Sequence, residues 1–283
     1  MKDTIFCDTF GLNFNGKLKE FNSPVVMGIL NVTPDSFFDG NKYKTEHSIL
    51  NKVEQILNEG AEFIDVGGYS SRPGADEVSE EEETKRVCNA IELISKEFSE
   101  TIISTDTFRS KVAQNAINAG ALMINDISAG ELDAKMPEVA VKNNVPYAIM
   151  HMQGTPKTMQ TNPKYNNVSD DIFKYLNNKI ESLKKAGVID IIIDPGFGFG
   201  KTVEDNYSIL NNLEFYKYLD APLLVGFSRK SMIYKLLENN AEQALNGTSV
   251  CNTIALMKGA KILRVHDVKE AAECIKITQQ ISC

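Results

Sequence analysis

The chain has 283 residues, of which 42% are hydrophobic and 24% charged, with a formal net charge of −8. This composition suits an ordinary soluble globular protein with a large core. The acidic balance argues against a general nucleic-acid or anionic-membrane surface, so any positive charge that holds an anionic ligand must be local.

The opening MKDTIFCDTF has no apolar core and no cleavage site, and no apolar run approaches the roughly 18 residues of a membrane span. The five cysteines (Cys7, Cys88, Cys251, Cys274, Cys283) are scattered, odd in number and without a C-x-x-C. Both features lead to the expectation of a cytoplasmic protein. Residues 1–23 read as a β-hairpin turning near Asn15-Gly16, placed to cover the bottom of whatever follows.

Strands are then expected at VVMGIL (25–30), EFIDVG (62–67), TIISTD (101–106), LMIND (122–126), PYAIM (146–150), DIIID (190–194), PLLVG (222–226) and KILRV (261–265). Their lack of hydrophilic alternation suits strands buried on both faces of a parallel sheet. Helical segments lie between them. Ser79–Phe98 opens with a capping-box pattern, Arg109–Ala119 places Val112, Ala116 and Ala119 on one face, and Asp171–Ala186 stops at Gly187. Eight βα units without a linker or low-complexity tract predict a single α/β domain over 1–283. Its architecture is a TIM (β/α)8 barrel with an N-terminal β-hairpin, preferred over a doubly wound open sheet.

A TIM barrel carries its chemistry on the C-terminal ends of its strands. Here those ends give Asn31, the loop Gly67–Gly74, Asp106, Asn125-Asp126, Met150-His151-Met152, Asp194, Ser228-Arg229-Lys230, and Arg264 with His266. Singly, an Asp or Asn in such a place is more often a helix cap, and His151 reads as a packed structural residue, with His47 on the surface. Together, eight polar strand ends exceed what capping requires. The stretch DPGFGFGKT (194–202) looks like a phosphate-binding P-loop but is not one. Its first template glycine falls on Pro195, which has no N–H to donate, and Gly196, Gly198 and Gly200 alternate strictly.

Two sub-sites follow from donor and acceptor chemistry. Asp106, Asn125, Asp194 and Lys230 contain no nucleophile–base pair, but a carboxylate there can accept two parallel N–H bonds from an amidine-like ring edge, as on a guanine or a pterin. Asn31, Ser71, Arg72, Arg264 and His266, with glycine-rich loop amides, have the donors for a phosphate or pyrophosphate. The residues alone leave purine and pterin open.

The segments MGILNVTPDSFFDG, DVGGYSSRPGA, STDTFRS, INDISAG, MHMQGTP, IIIDPGFGFGKT, GFSRKS and RVHDV, in this order, resemble the dihydropteroate synthase family across nearly the whole chain after the hairpin. The resemblance implies a TIM barrel that forms homodimers through late helices, binding no nucleic acid or membrane. It implies that 6-hydroxymethyl-7,8-dihydropterin diphosphate is joined to p-aminobenzoate, with Mg²⁺, giving 7,8-dihydropteroate and pyrophosphate. Carried onto matching positions, Asp106, Asn125, Asp194 and Lys230 bind the pterin and Arg264 stacks on it. Asn31, Ser71, Arg72, Arg264 and His266 hold the diphosphate, and Asn31 also contacts the metal. Phe37, Arg72, Pro73, Phe199, Ser228 and Lys230 line the p-aminobenzoate pocket. Asp35, Arg72, Lys230, Arg264 and His266 form the catalytic set, with Asp35 and Phe37 on a loop that closes over the reaction.

The chain departs from the family at Tyr69, where a glutamate is usual, and at Ser71, which keeps a hydroxyl in place of threonine. The other readings of these residues are a related pterin-dependent methyltransferase and a paralogue that binds pterin without turnover. The Arg72-Pro73 loop and the Ser228–Lys230 segment argue against the first, the intact Asn31, Arg72, Lys230, Arg264 and His266 against the second.

Overall fold

The computed structural model describes residues 9–32, 42–69, 78–156, 158–159 and 163–281, with the backbone alone at 42–45. Asp35, Phe37, Ser71, Arg72 and Pro73 lie outside the described residues. The hairpin forms as expected, from β1 (Phe10–Phe14) and β2 (Lys17–Phe21) joined at Asn15-Gly16. Both turn residues have positive φ, 51° and 88°, the backbone that a tight Asn-Gly turn requires.

Eight parallel strands follow: β3 (Val25–Asn31), β4 (Phe63–Gly67), β5 (Ile102–Asp106), β6 (Met123–Asp126), β7 (Tyr147–Met150), β8 (Ile191–Asp194), β9 (Leu224–Val225) and β10 (Ile262–Val265). Neighbours pair in the order β8-β7-β6-β5-β4-β3-β10-β9, and a bridge from Ile193 to Leu223 joins the two ends. The sheet is therefore a closed barrel, with a helical segment after each strand.

Period-2 geometry divides the strand residues between two cores. Outward residues such as Val26, Ile64, Ile103, Ile124, Tyr147, Ile193, Val225 and Leu263 pack under the helices. At Gly28 this face is so close to a helix that a Cβ would sit 2.4 Å from Ile56 Cγ2. Inward residues at the strand starts, Met27, Phe63, Ile102, Met123, Ala148, Ile192, Leu224 and Ile262, form a second core with Phe10, Leu12, Phe14 and Phe21 of the hairpin. Phe10 and Phe21 stack at 4.7 Å, and Phe21 meets Phe63 at 5.6 Å. The hairpin thus plugs the barrel floor with aromatic side chains, each worth about 1.5–3 kcal/mol when buried.

The helices refine the sequence reading. Ser79 caps Glu80–Glu97 by accepting from Glu82 N at 3.2 Å, but Glu82 reaches forward to Arg86 at 2.7 Å, so only half of the expected capping box is present. A complete box occurs instead at Thr202 and Asp205, starting the helix Val203–Asn211. In Ser110–Ala119 it is Val112, Ala113 and Ala116 that are buried, and Ala119 is half-buried. The helix expected from Asp171 begins at Val168, because Asn167 accepts from the amides of Ser169 and Asp170; Gly187 closes it with φ 96°.

Candidate functional site

Climbing the inward face of each strand, side chains change from apolar to polar: Met27 to Asn31, Phe63 to Asp65, Ile102 to Asp106, Met123 to Asn125, Ile192 to Asp194, Ile262 to Arg264. The strand register brings Gly67 opposite both Asn31 and Asp106, and Asp106 opposite Asn125. Six side chains from strands far apart in sequence therefore converge, Asp65 one layer below the mouth and the other five at it.

Arg264 is the hub. Its Nε donates to Asp65 Oδ2 at 2.6 Å and its Nη2 to Asp106 Oδ2 at 2.5 Å. Asp65 Oδ2 also accepts from Asn125 Nδ2 at 2.9 Å. Burial disfavours the charge on Arg264, but Asp65 and Asp106 outweigh it and hold its pKa above the usual arginine value. Asp106 is pushed upward by burial, with Asp65 and Glu83 adding to that and Arg264 opposing it. Asp194 is also raised by burial, opposed by Lys230 and by Gly196 N, which donates to its Oδ1 at 2.7 Å.

Three acceptors here share one property. Asp106, Asn125 and Asp194 each have one terminal atom held by the protein, through Arg264, Asp65 and Gly196 respectively. The other oxygen of each makes no hydrogen bond among the described residues. The mouth is thus prepared for a ligand edge rich in N–H donors, with Lys230 beside it. The Lys230 ammonium donates to Phe197 O and lies 4.7 Å from the Phe199 ring centroid. Burial, reinforced by Arg264 and opposed by Asp194, lowers its pKa to about 8.

Ser228 is buried beside this group, and its hydroxyl accepts from His266 N at 3.2 Å, tying the ends of β9 and β10 together. Arg229 does not share the direction of its neighbours. It adopts φ 56° and forks onto Asp267 at 2.7 and 3.0 Å. Asp126, expected among the polar strand ends, likewise points away from the mouth. It is fully buried and accepts from Ser128 N, Ser128 Oγ, Gly130 N and Tyr147 OH, each at 2.7 Å, which fixes the turn after Asn125.

The glycine-rich turn after β8 is explained without phosphate. Gly196, Gly198 and Gly200 all have positive φ, and a Cβ on Gly196 would lie 2.1 Å from His151 O. The buried Lys201 donates to Gly196 O and Phe199 O at 2.8 Å and to His151 O at 3.2 Å. Its ammonium therefore knots the turn onto the β7 loop instead of facing a ligand. His151 is structural, as expected: buried, edge-on to Tyr175 at 4.9 Å, with Nδ1 facing Lys201 Nζ at 3.2 Å. Burial, and then Lys201, lower its pKa to about 3. His47 is exposed.

Tyr69 packs edge-on against Phe108 at 5.3 Å, with the Arg109 guanidinium 5.5 Å from its ring centroid. Arg109 pairs with the buried Glu83 at 2.5 Å and donates to Val78 O at 3.0 Å. The carboxylate at this corner thus comes from Glu83. The principal residue that the sequence reading passed over is Asp65. Its signal was an acid at the inward-facing centre of a strand otherwise buried throughout.

Comparison with known proteins gives the family. The family model described as pterin binding enzyme matches residues 27–266. The chain belongs to the pterin binding enzyme family. It is 44% identical over 266 residues to the dihydropteroate synthase of Escherichia coli, covering 93% of this chain and 94% of the relative. Among solved structures, the Yersinia pestis dihydropteroate synthase in a sulfonamide drug complex is 41% identical, with a TM-score of 0.88 over 96% of this chain and 98% of the other. The Xanthomonas albilineans enzyme with 4-aminobenzoic acid is 35% identical, with a TM-score of 0.90 over 98% and 99%.

Proposed function

We propose that the protein is an enzyme of folate biosynthesis catalysing the dihydropteroate synthase reaction. The carrying observation is the mouth itself: three half-held acceptors beside Arg264 and Lys230, a pattern complementary to the N–H edge of a dihydropterin. The near full-length similarity to dihydropteroate synthases supports the same reading.

In this reading the second oxygen of Asp194 accepts from the pterin's amidine-like edge, Asn125 and Asp106 take further ring donors, and Lys230 donates to ring acceptors. Arg264 covers the ring face and, with Asn31, His266, Ser71 and Arg72, meets the diphosphate. The C–O bond to the exocyclic methylene breaks, and the diphosphate leaves with the electron pair. The dihydropterin delocalises the resulting cation, and nearby carboxylates favour it electrostatically. The arylamine nitrogen then attacks the methylene carbon and loses a proton, giving dihydropteroate. Phe199, Ser228 and Lys230 border the arylamine's side of the mouth, and the family resemblance assigns Phe37, Arg72 and Pro73 to the same pocket and Asp35 to the catalytic set. No protein nucleophile is needed.

Asn31 offers a hard amide oxygen at the mouth, and among the described residues no cluster of His, Cys, Asp or Glu could hold a metal unaided. That donor set fits Mg²⁺, which favours few protein ligands and the oxygens of a bound phosphate. When bound it would neutralise charge on the departing diphosphate.

We further infer a single domain over 1–283, a cytoplasmic location and a homodimer. Among the described residues no helix is long and apolar enough to cross a membrane. The last two helices, Leu245–Met257 and Val268–Ile281, expose Val250, Met257, Ile277 and Ile281, apolar surface suited to a second copy. Chromatographic detection of dihydropteroate from the two substrates tests the reaction, and sedimentation tests the dimer. Absent product, or a monomer at micromolar concentration, would refute the respective statement.

A further inference from the structure

Asp65 lies at the inward-facing centre of β4, one layer below the mouth, and none of its surface is exposed. Both of its hydrogen bonds fall on Oδ2, from Arg264 Nε and Asn125 Nδ2. Oδ1 is buried without a partner among the described residues, as is the hydroxyl of Ser104, its register partner on β5. A half-satisfied carboxylate this deep costs stability, so folding alone does not account for it.

Its consequence lies in Asn125. A carboxylate can only accept, so an amide facing Asp65 must turn its nitrogen toward it. The carbonyl oxygen of Asn125 is thereby directed away from Asp65 and stands as an acceptor alongside the unengaged oxygens of Asp106 and Asp194. Without Asp65 the amide could rotate by half a turn and offer the ligand a donor where it now offers an acceptor.

We propose that Asp65 is a specificity-setting positioning residue, which locks the Asn125 amide so that the mouth selects heterocycles carrying an amino donor over those carrying a carbonyl at the same ring position. The inference rests on the pterin reading of the site. It makes Asp65 a group that acts through Asn125, without itself touching the ligand.

The test measures calorimetric affinities of the full-length protein for 6-hydroxymethylpterin and for its 2-oxo analogue, 6-hydroxymethyllumazine. The wild type should prefer the amino compound by about a hundredfold or more, because the wrong edge leaves buried acceptors unpaired. In Asp65→Asn the side chain can present either an oxygen or an N–H₂, so the preference should shrink at least about tenfold. A general loosening of the barrel would weaken both ligands together and leave their ratio unchanged, and that result in a folded Asp65→Asn would overturn the proposal. If Asp65→Asn does not fold, Asn125→Ala decides: it leaves the buried carboxylate in place but removes the oriented oxygen, so the ratio should also fall, and an undiminished ratio would overturn the proposal. A wild type that binds neither compound would instead remove the pterin reading on which it stands.

Discussion

Arg264 Nη2 and Asp106 Oδ2, 158 residues apart in sequence, stand 2.5 Å from one another at the barrel mouth. Arg264→Ala would leave Asp106 and Asp65 facing each other without their shared cation. Turnover of the pterin diphosphate should fall by about a hundredfold or more, whereas an unphosphorylated pterin should bind only about tenfold more weakly. Steady-state kinetics and calorimetry distinguish the two effects. Equal losses would mean that Arg264 acts through the ring alone.

Asp194→Asn is informative because one side of the carboxylate is already committed. Gly196 N requires an acceptor at 2.7 Å, so the new amide must keep its oxygen there and turn its nitrogen toward the ligand. A donor then faces a donor. Pterin affinity should fall by about 1.5–3 kcal/mol, roughly ten- to a hundredfold. Unchanged affinity by calorimetry would remove Asp194 from the site.

Lys230 gives the site a pH limit. Its pKa, lowered by burial to about 8, leaves it charged below that pH and neutral above it. A ligand that needs the ammonium should therefore bind progressively more weakly as pH rises through about 8. The decline should be absent in Lys230→Met, which binds weakly throughout. A wild-type profile identical to that of Lys230→Met would contradict the role.

Lys201 and His151 form a second buried pair, with a stability consequence. The folded pKa of His151, about 3, lies below the ordinary histidine value of 6.5, so its contribution is present above pH 6.5 and is lost as pH falls toward 3. Denaturant titrations should show this acid limb in the wild type and its flattening in His151→Phe. An unchanged limb would place the titration elsewhere.

Lys201→Met removes the ammonium that satisfies the carbonyls of Gly196 and Phe199. It should cost about 2–4 kcal/mol of stability. Because the loosened turn carries Phe199, KM for p-aminobenzoate should rise more than the Kd for pterin. A variant with wild-type melting and KM would show that the turn holds without its knot.

Much of this was legible because strands buried on both faces leave continuous apolar runs, and a polar residue in the last two places of a run stands out as a candidate for the mouth. Asp106 and Asp194 end their strands, and Asn125 and Arg264 stand one place earlier. What escaped depended on contacts that no local pattern records. Asp65 sits inside a run rather than at its end. Lys201 bonds to backbone oxygens, which every residue possesses. Arg229 and Lys230 are adjacent, identical in charge sign, and sent in different directions by one residue at φ 56°. The helix expected from Asp171 starts earlier, at Val168, because its beginning is set by the Asn167 side chain accepting from the amides of Ser169 and Asp170.

The reaction itself is tested most directly by pyrophosphate release from purified protein given the dihydropterin diphosphate and Mg²⁺, with and without p-aminobenzoate. Release that rises with p-aminobenzoate and matches dihydropteroate formed is the predicted result. Tight pterin binding with no p-aminobenzoate-dependent release would contradict it, and would leave a protein that binds the pterin without joining it to anything.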